Sequence, residues 1–233
     1  MPMRLFFAQI NVLQTLHLSV IAGENPKFYP RFFQRKRLQN GEKYMKKILV
    51  IVDMQNDFIT GPLGNADCQA VVNNIVEIVN NEEYTDIILT RDTHQENYLD
   101  TREGKNLPVA HCIEGTEGFE IDSDIMSAVE NKYKTSEIRN YLNKKENMPI
   151  VINKPSFGSM ELARLLSENV NAEDIIDFVG VCTGICVISN VLLAKAAVPE
   201  TNVRVIENAC ACVTKESHRT AIEAMKMCQV EIV

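Results

Sequence analysis

Ile48-Leu49-Val50-Ile51-Val52-Asp53 is an unbroken apolar run closed by an acid. A strand with one wet face alternates apolar and polar residues, so a run without alternation, rich in β-branched Val and Ile, reads as a strand buried on both faces. Working outward, Ala66–Asn80 reads as a helix with apolar residues at 71, 72, 75, 76 and 79, and Asp86–Thr90 as a second strand. Pro149–Ile152 is a third strand, followed by the amphipathic helix Ser159–Val170. Ile175–Val181 is a fourth, leading into the helix Ile185–Ala197, and Val203–Ile206 and Val230–Val233 flank the helix Lys215–Cys228. Strand and helix alternate throughout. That order predicts a three-layer α/β/α sandwich around a mostly parallel central sheet, Rossmann-like in plan.

A chain of 233 residues is long enough to bury one continuous core. Met1–Tyr44 holds seven Lys/Arg against two Glu, includes Arg-Phe-Phe-Gln-Arg-Lys-Arg at 31–37, and sustains no hydrophobic period. We expect residues 1–44 to be an upstream extension outside the core, such as an early start site would add, with a basic docking arm as the alternative; residues 45–233 are the domain. That domain carries 17 basic and 29 acidic residues, a balance that repels nucleic acid and anionic membranes. No apolar run reaches the roughly 18 residues a spanning helix needs, and Leu5–Ala22 is interrupted by Gln9, Asn11, Gln14, His17 and Ser19. Seven cysteines cannot all pair within one chain and lack the spacing of a small secreted scaffold, which points to a reducing cytoplasm. Neither Cys182/Cys186 nor Cys210/Cys212 has Cys-x-x-Cys spacing, so no disulfide or metal role is read there.

Parallel sheets place their sites beyond the carboxyl ends of the strands. Asp53 ends the first strand, Lys154 follows the third, and Cys186 lies on the turn that leaves the fourth. Singly, these read as a turn acid, a solvated lysine and a packing cysteine. Together they read as a cysteine hydrolase: a nearby ammonium and a helix N-terminus favour thiolate, and a carboxylate can take the thiol proton and return it to a leaving group. The turn's N–H groups would face a developing oxyanion.

The long loop after the second strand carries Asp92, His94, Glu103 (with Asp100 nearby) and His111. Imidazoles and carboxylates suit an open zinc, manganese or iron(II) site. The plain alternative is that Asp92 and His94 cap a loop and His111 packs.

Asp53-Met54-Gln55-Asn56-Asp57-Phe58, the lysine of Asn153-Lys154-Pro155, and Gly180-Val181-Cys182-Thr183-Gly184-Ile185-Cys186-Val187 resemble, in order and spacing, the motifs of the isochorismatase-like cysteine hydrolases. Residues 45–233 are similar to the nicotinamidases within that superfamily. The resemblance implies an isochorismatase-like fold and a triad of Asp53, Lys154 and Cys186. It also implies a cis peptide at Val181-Cys182 and an oxyanion hole from the N–H groups of Cys182 and Cys186. Asp92, His94, Glu103 and His111 would hold one divalent metal, with zinc first and manganese or iron as alternatives. Phe58 and Phe157 would wall the substrate ring, with Leu107 or Pro108 where a third aromatic is usual. The implied activity is hydrolysis of nicotinamide to nicotinate and ammonia through a Cys186 thioester, as in cytoplasmic NAD salvage, with neither nucleic acid nor membrane as partner and a homo-oligomer compatible with it. The alternatives are an isochorismatase or another small-amide hydrolase, or a member that binds metal or ligand without turnover.

Overall fold

A computed structural model describes residues 45–135, 138, 140–143 and 147–233. The expectation for residues 1–44 falls outside the described residues. The strands are β1 (Lys47–Val52), β2 (Asp86–Asp92), β3 (Ile150–Lys154), β4 (Ile175–Val181), β5 (Asn202–Ala211) and β6 (Glu231–Ile232). They form a 6-stranded sheet in the order β3-β2-β1-β4-β5-β6, each neighbouring pair parallel. The helices are α1 (Asn56–Ile59), α2 (Ala66–Asn81), α3 (Arg102–Asn106), α4 (Ser123–Lys134), α5 (Met160–Asn169), α6 (Ile188–Ala197) and α7 (Lys215–Met227).

The apolar run of β1 feeds two cores because successive side chains leave a strand on opposite faces. Leu49 and Ile51 pack with Phe58 of α1, Val71 and Ile75 of α2, and Ile125 and Val129 of α4. Ile48, Val50 and Val52 pack with Leu162 of α5, Val191 of α6, and Ile222 and Met225 of α7. Each such side chain contributes about 1.5–3 kcal/mol on burial. The sandwich is therefore three-layered, as the alternation of elements predicts.

The structure departs from the sequence reading at several elements, three of which bear on the site or the layers. β3 runs on to Lys154, so that lysine is the last strand residue and pairs in register with Asp92. The expected helix from Ile185 opens instead as a π-helical turn, Thr183–Val187, before α6. Helix α4 has no counterpart in the sequence reading: its buried stripe is only Ile125, Ala128, Val129 and Tyr133, set among polar residues, and Tyr133 Oη anchors it by accepting the Ile87 N–H at 3.2 Å. Among the described residues no helix is long and apolar enough to cross a membrane.

The chain winds outward from β1 to β3, returns, and winds the other way from β4 to β6, so the order reverses between β1 and β4. A crevice opens at the carboxyl ends of the strands at such a point. Gly180 sits there with φ +117°, and a Cβ on it would lie 2.1 Å from the Val52 carbonyl oxygen. Gly180→Ala should therefore cost more than about 3 kcal/mol, combining left-handed strain with a backbone clash. Urea unfolding checks this; a loss under about 1 kcal/mol would mean the two strands separate freely.

Candidate active site

Asp53 leaves β1 in a left-handed backbone conformation, φ 51°, and is fully buried. Asp tolerates that region better than most residues, yet it still costs on the order of 1 kcal/mol. The Thr90 hydroxyl of β2 donates to Asp53 Oδ1 at 2.6 Å, and Asp53 Oδ2 lies 2.6 Å from Lys154 Nζ. The same ammonium lies 3.7 Å from Cys186 Sγ and 3.6 Å from Asp92 Oδ1, and donates to the Ser156 carbonyl at 3.0 Å. Acid, amine and thiol from three distant segments thus meet around one buried nitrogen. Asp53, Lys154 and Cys186 are all at the strand ends where the sequence reading puts them.

The electrostatics refine that reading. Burial alone would lower the Lys154 pKa, but the charges of Asp53, Cys186 and Asp92 outweigh it and hold the ammonium charged. Burial raises Asp53 above the ordinary carboxylate range, with Lys154 pulling against it. Burial and then the Asp53 carboxylate push the Cys186 thiol well up, with Lys154 opposing. The sequence reading expects a thiolate favoured by the ammonium; in the folded chain the loss of water and the carboxylate facing the sulfur outweigh it and favour the thiol. A raised carboxylate beside a raised thiol is matched for moving a proton between them. The peptide bond Val181-Cys182 is cis, and Cys186 follows within the π-helical turn.

One strand further out, Asp92 ends β2, and its Oδ2 lies 2.9 Å from His94 Nε2 and 3.5 Å from His111 Nε2. Glu103 of α3 brings Oε1 to 3.7 Å from His94 Nε2. One donor atom from each of Asp92, His94, Glu103 and His111 lies within 4.8 Å of all the others. Donors about 2.1 Å from an ion and opposite each other are about 4.2 Å apart, so the group is close to one ion's shell. Two further observations fit a metal. Asp92 Oδ1 is buried with no hydrogen-bond partner among the described residues. His111 Nδ1 lies 2.8 Å from the Val109 carbonyl, which only an N–H satisfies, so Nε2 is the ring nitrogen turned to the cluster. That is the outer-shell bond that orients metal-ligating histidines. Burial opposes charge on Asp92, but hydrogen bonds from His111 and His94 overcome it and hold the carboxylate below its ordinary range. Asp100 ends a 3-10 turn and is outside this group; Glu103 is the acid that faces His94.

The three wall candidates separate. Phe58 is buried with its ring 5.4 Å from His111, edge on. Leu107 and Phe157 remain 37% and 43% exposed at the rim. Sequence reasoning missed Tyr98, buried 4.6 Å from His94 and 4.9 Å from His111 between ring centroids, its hydroxyl donating to the Leu107 carbonyl at 3.0 Å. It also missed Gln55, a fully buried amide inside the quoted motif. Gln55 donates to the Asp92 and Phe119 carbonyls at 2.9 Å each and accepts the Asp92 N–H at 2.7 Å, clamping the backbone that carries Asp92. No periodicity marks either residue. All seven cysteines are free. The Cys182 thiol nonetheless faces those of Cys68 and Cys212, residues far apart in sequence. With the further donors Ser217 Oγ at 3.2 Å and Gly184 N at 3.3 Å, the Cys182 contact draws the Cys212 thiol down to about 5.

A doubly wound α/β domain with a thiol, an ammonium and a carboxylate at its switch point, beside a histidine–carboxylate cluster, defines an isochorismatase-like architecture. The chain matches the isochorismatase domain family over residues 47–233 and belongs to that family. Among solved structures, it is similar to the pyrazinamidase of Pyrococcus horikoshii in complex with zinc, at 24% identity and TM-score 0.63, covering 81% of this chain and 98% of that one. It is also similar to the nicotinamidase/pyrazinamidase of Bacillus subtilis, at 23% identity and TM-score 0.64, covering 81% and 100%. PnC1 from L. infantum, in complex with nicotinate, matches at 20% identity and TM-score 0.61, covering 81% and 92%. No curated protein matches the chain.

Proposed function

We propose that this protein is a metal-assisted amidase that converts nicotinamide, or a closely related heteroaromatic carboxamide, to the free acid and ammonia. The observation that carries the reading is the position of Lys154 Nζ, 2.6 Å from Asp53, 3.7 Å from Cys186 and 3.6 Å from Asp92. That one ammonium joins a nucleophile and its base to the donor cluster. The structural neighbours that act on or bind nicotinamide, pyrazinamide and nicotinate support the choice of substrate class. A reducing cytoplasmic setting is proposed with it, supported by seven free thiols.

In the proposed reaction the Cys186 thiol gives its proton to Asp53 as sulfur attacks the carboxamide carbon. Asp53 then returns that proton to the departing nitrogen, ammonia leaves, and a thioester remains on Cys186. Water attacks the thioester with Asp53 taking its proton, and the acid and free thiol are released. Splitting amide hydrolysis this way replaces one difficult step by two easier ones. Lys154 stays charged throughout and offsets the negative charge that moves between Asp53 and sulfur. The N–H groups of Cys182 and Cys186 are proposed to receive the oxyanion, a contribution of about 3–4 kcal/mol per donor. Asp92, His94, Glu103 and His111 would hold a divalent ion, zinc in the first instance, which supplies a Lewis-acidic anchor for a ring nitrogen. Phe58 walls the ring from the His111 side, while Leu107 stands at the rim where the related enzymes are expected to carry an aromatic.

The direct test is ammonia release from nicotinamide and from pyrazinamide by the zinc-loaded protein. Turnover of neither, with metal bound, would favour a binding protein that has lost catalysis. His94→Ala should drop the zinc content from about one ion per chain to well below half and raise the Michaelis constant, because a four-donor site loses a nitrogen. Elemental analysis reads the first effect, and unchanged zinc would reject the donor assignment.

A further inference from the structure

We propose, resting on the reaction above, that Asn190 is a positioning residue that holds the nucleophile's turn and the Lys154 segment at a fixed separation. Asn190 lies one turn after Cys186 on α6 and is fully buried. Its Nδ2 donates to the Cys186 carbonyl at 2.8 Å and to the Phe157 carbonyl at 3.0 Å, and its Oδ1 accepts the Ser159 N–H at 2.9 Å. Both amide hydrogens and the oxygen are used, so the orientation of the group is set by its partners.

The bonds close a ring. Lys154 Nζ reaches the Cys186 sulfur on one side and the Ser156 carbonyl on the other. Phe157, next in the chain, is tied by Asn190 to the backbone of Cys186 itself. Gly158 completes the seat: a Cβ there would come within 2.7 Å of Leu193 Cδ1 and 3.3 Å of Ser189 Cβ, so the segment lies directly on α6. The separation of ammonium and sulfur thus depends on an amide that touches neither of them, and the same amide holds the Phe157 backbone. Such a buried network is rigid only while every member is satisfied.

Serine separates bridging from helix repair. A serine hydroxyl at 190 can bond back to the carbonyl four residues earlier, which is Cys186, but is too short to span to Phe157. The experiment compares wild type, Asn190→Ala, Asn190→Ser and Gly158→Ala. It reads kcat and KM for nicotinamide and for pyrazinamide, urea stability, and the rate of Cys186 carboxamidomethylation by iodoacetamide followed by mass spectrometry. The two Asn190 variants should lose about 10- to 100-fold in kcat, as expected for a displacement near 1 Å, with the Cys186 labelling rate changed several-fold; Gly158→Ala, whose added methyl meets the movable end of Leu193, should lose less. Asn190→Ser restoring wild-type kcat, KM and labelling would reduce the residue to a helix contact and overturn the proposal. So would Asn190→Ala lowering stability alone. Should Asn190→Ala fail to fold, Asn190→Ser carries the same readouts. The labelling arm needs no amide substrate: if wild type hydrolyses neither amide, the reaction assignment fails, while labelling still decides whether Asn190 sets the sulfur's surroundings.

Discussion

Cys186→Ala should lower ammonia release from the turned-over carboxamide by on the order of 10⁴-fold or more, because no other group can form the thioester and only binding and oxyanion contacts remain. Cys186 is buried, and its removal trims one sulfur from a core that also holds Val187 and Val191. The expected cost in stability is correspondingly modest, about 1–2 kcal/mol. Zinc content should not change, since the sulfur stands outside the group of Asp92, His94, Glu103 and His111. The variant therefore separates chemistry from folding and from metal binding in one protein. Activity within tenfold of wild type would show that the sulfur is not the nucleophile and would sink the proposed mechanism. Loss of activity together with zinc would instead show that the two sites are coupled through Lys154.

The second large effect concerns charge. Lys154 is 1% exposed and is paired with Asp53 at 2.6 Å, with Asp92 3.6 Å away. Removing one partner of a buried pair strands the other, so Lys154→Met should destabilise the fold by about 3–5 kcal/mol. Asp53→Asn/Lys154→Met should be distinctly less destabilised than Lys154→Met, since neither charge is then left without water or partner. Urea unfolding of the single and double variants measures the difference. The pH dependence has a definite sign. Asp53 is already raised above its unfolded value by burial, and losing Lys154 removes the charge that pulls it down. The folded variant then binds more protons than the unfolded chain, so its stability should rise as pH falls towards the unfolded carboxylate value near 4 and decline as pH rises through the folded value. A Lys154→Met protein less than about 1 kcal/mol weaker than wild type, or one equally stable at pH 5 and pH 8, would mean that the carboxylate is hydrated and the site is open. Lys154→Met and Asp53→Asn should each also lose most activity under the proposed mechanism, in which Asp53 is the base and Lys154 its counter-charge.

How far the chain could be read in advance follows from what each signal is made of. β1 was legible because five consecutive apolar residues have no other use than two buried faces, and Leu49 and Ile51 do enter one core while Ile48, Val50 and Val52 enter the other. Helix α4 was not, because its short stripe finds its partners, the apolar face of α2 and the Ile87 backbone of β2, only in the fold. Residue types and order pointed to Asp53, Lys154 and Cys186, but the protonation of the sulfur did not follow from them. It depends on burial and on which charge faces it, and in the fold the carboxylate prevails over the ammonium. The same holds for the acid beside His94. Asp100 and Glu103 were equivalent by composition; α3 turns Glu103 to the cluster.

Gln55 and Asn190 mark the limit most clearly. Each is a polar residue in an ordinary sequence context, and each is completely buried with every amide hydrogen committed to a backbone carbonyl, at least one of them in a segment distant in the chain. Hydrophobic period, strand order and the chemistry of reactive side chains are local properties, and they were enough to point to the family, the sheet and the three side chains that meet around Lys154 Nζ. Which amides brace the site, which thiols touch and which proton sits where are decided by contacts between segments. Those energies come into being only when water is excluded from between them.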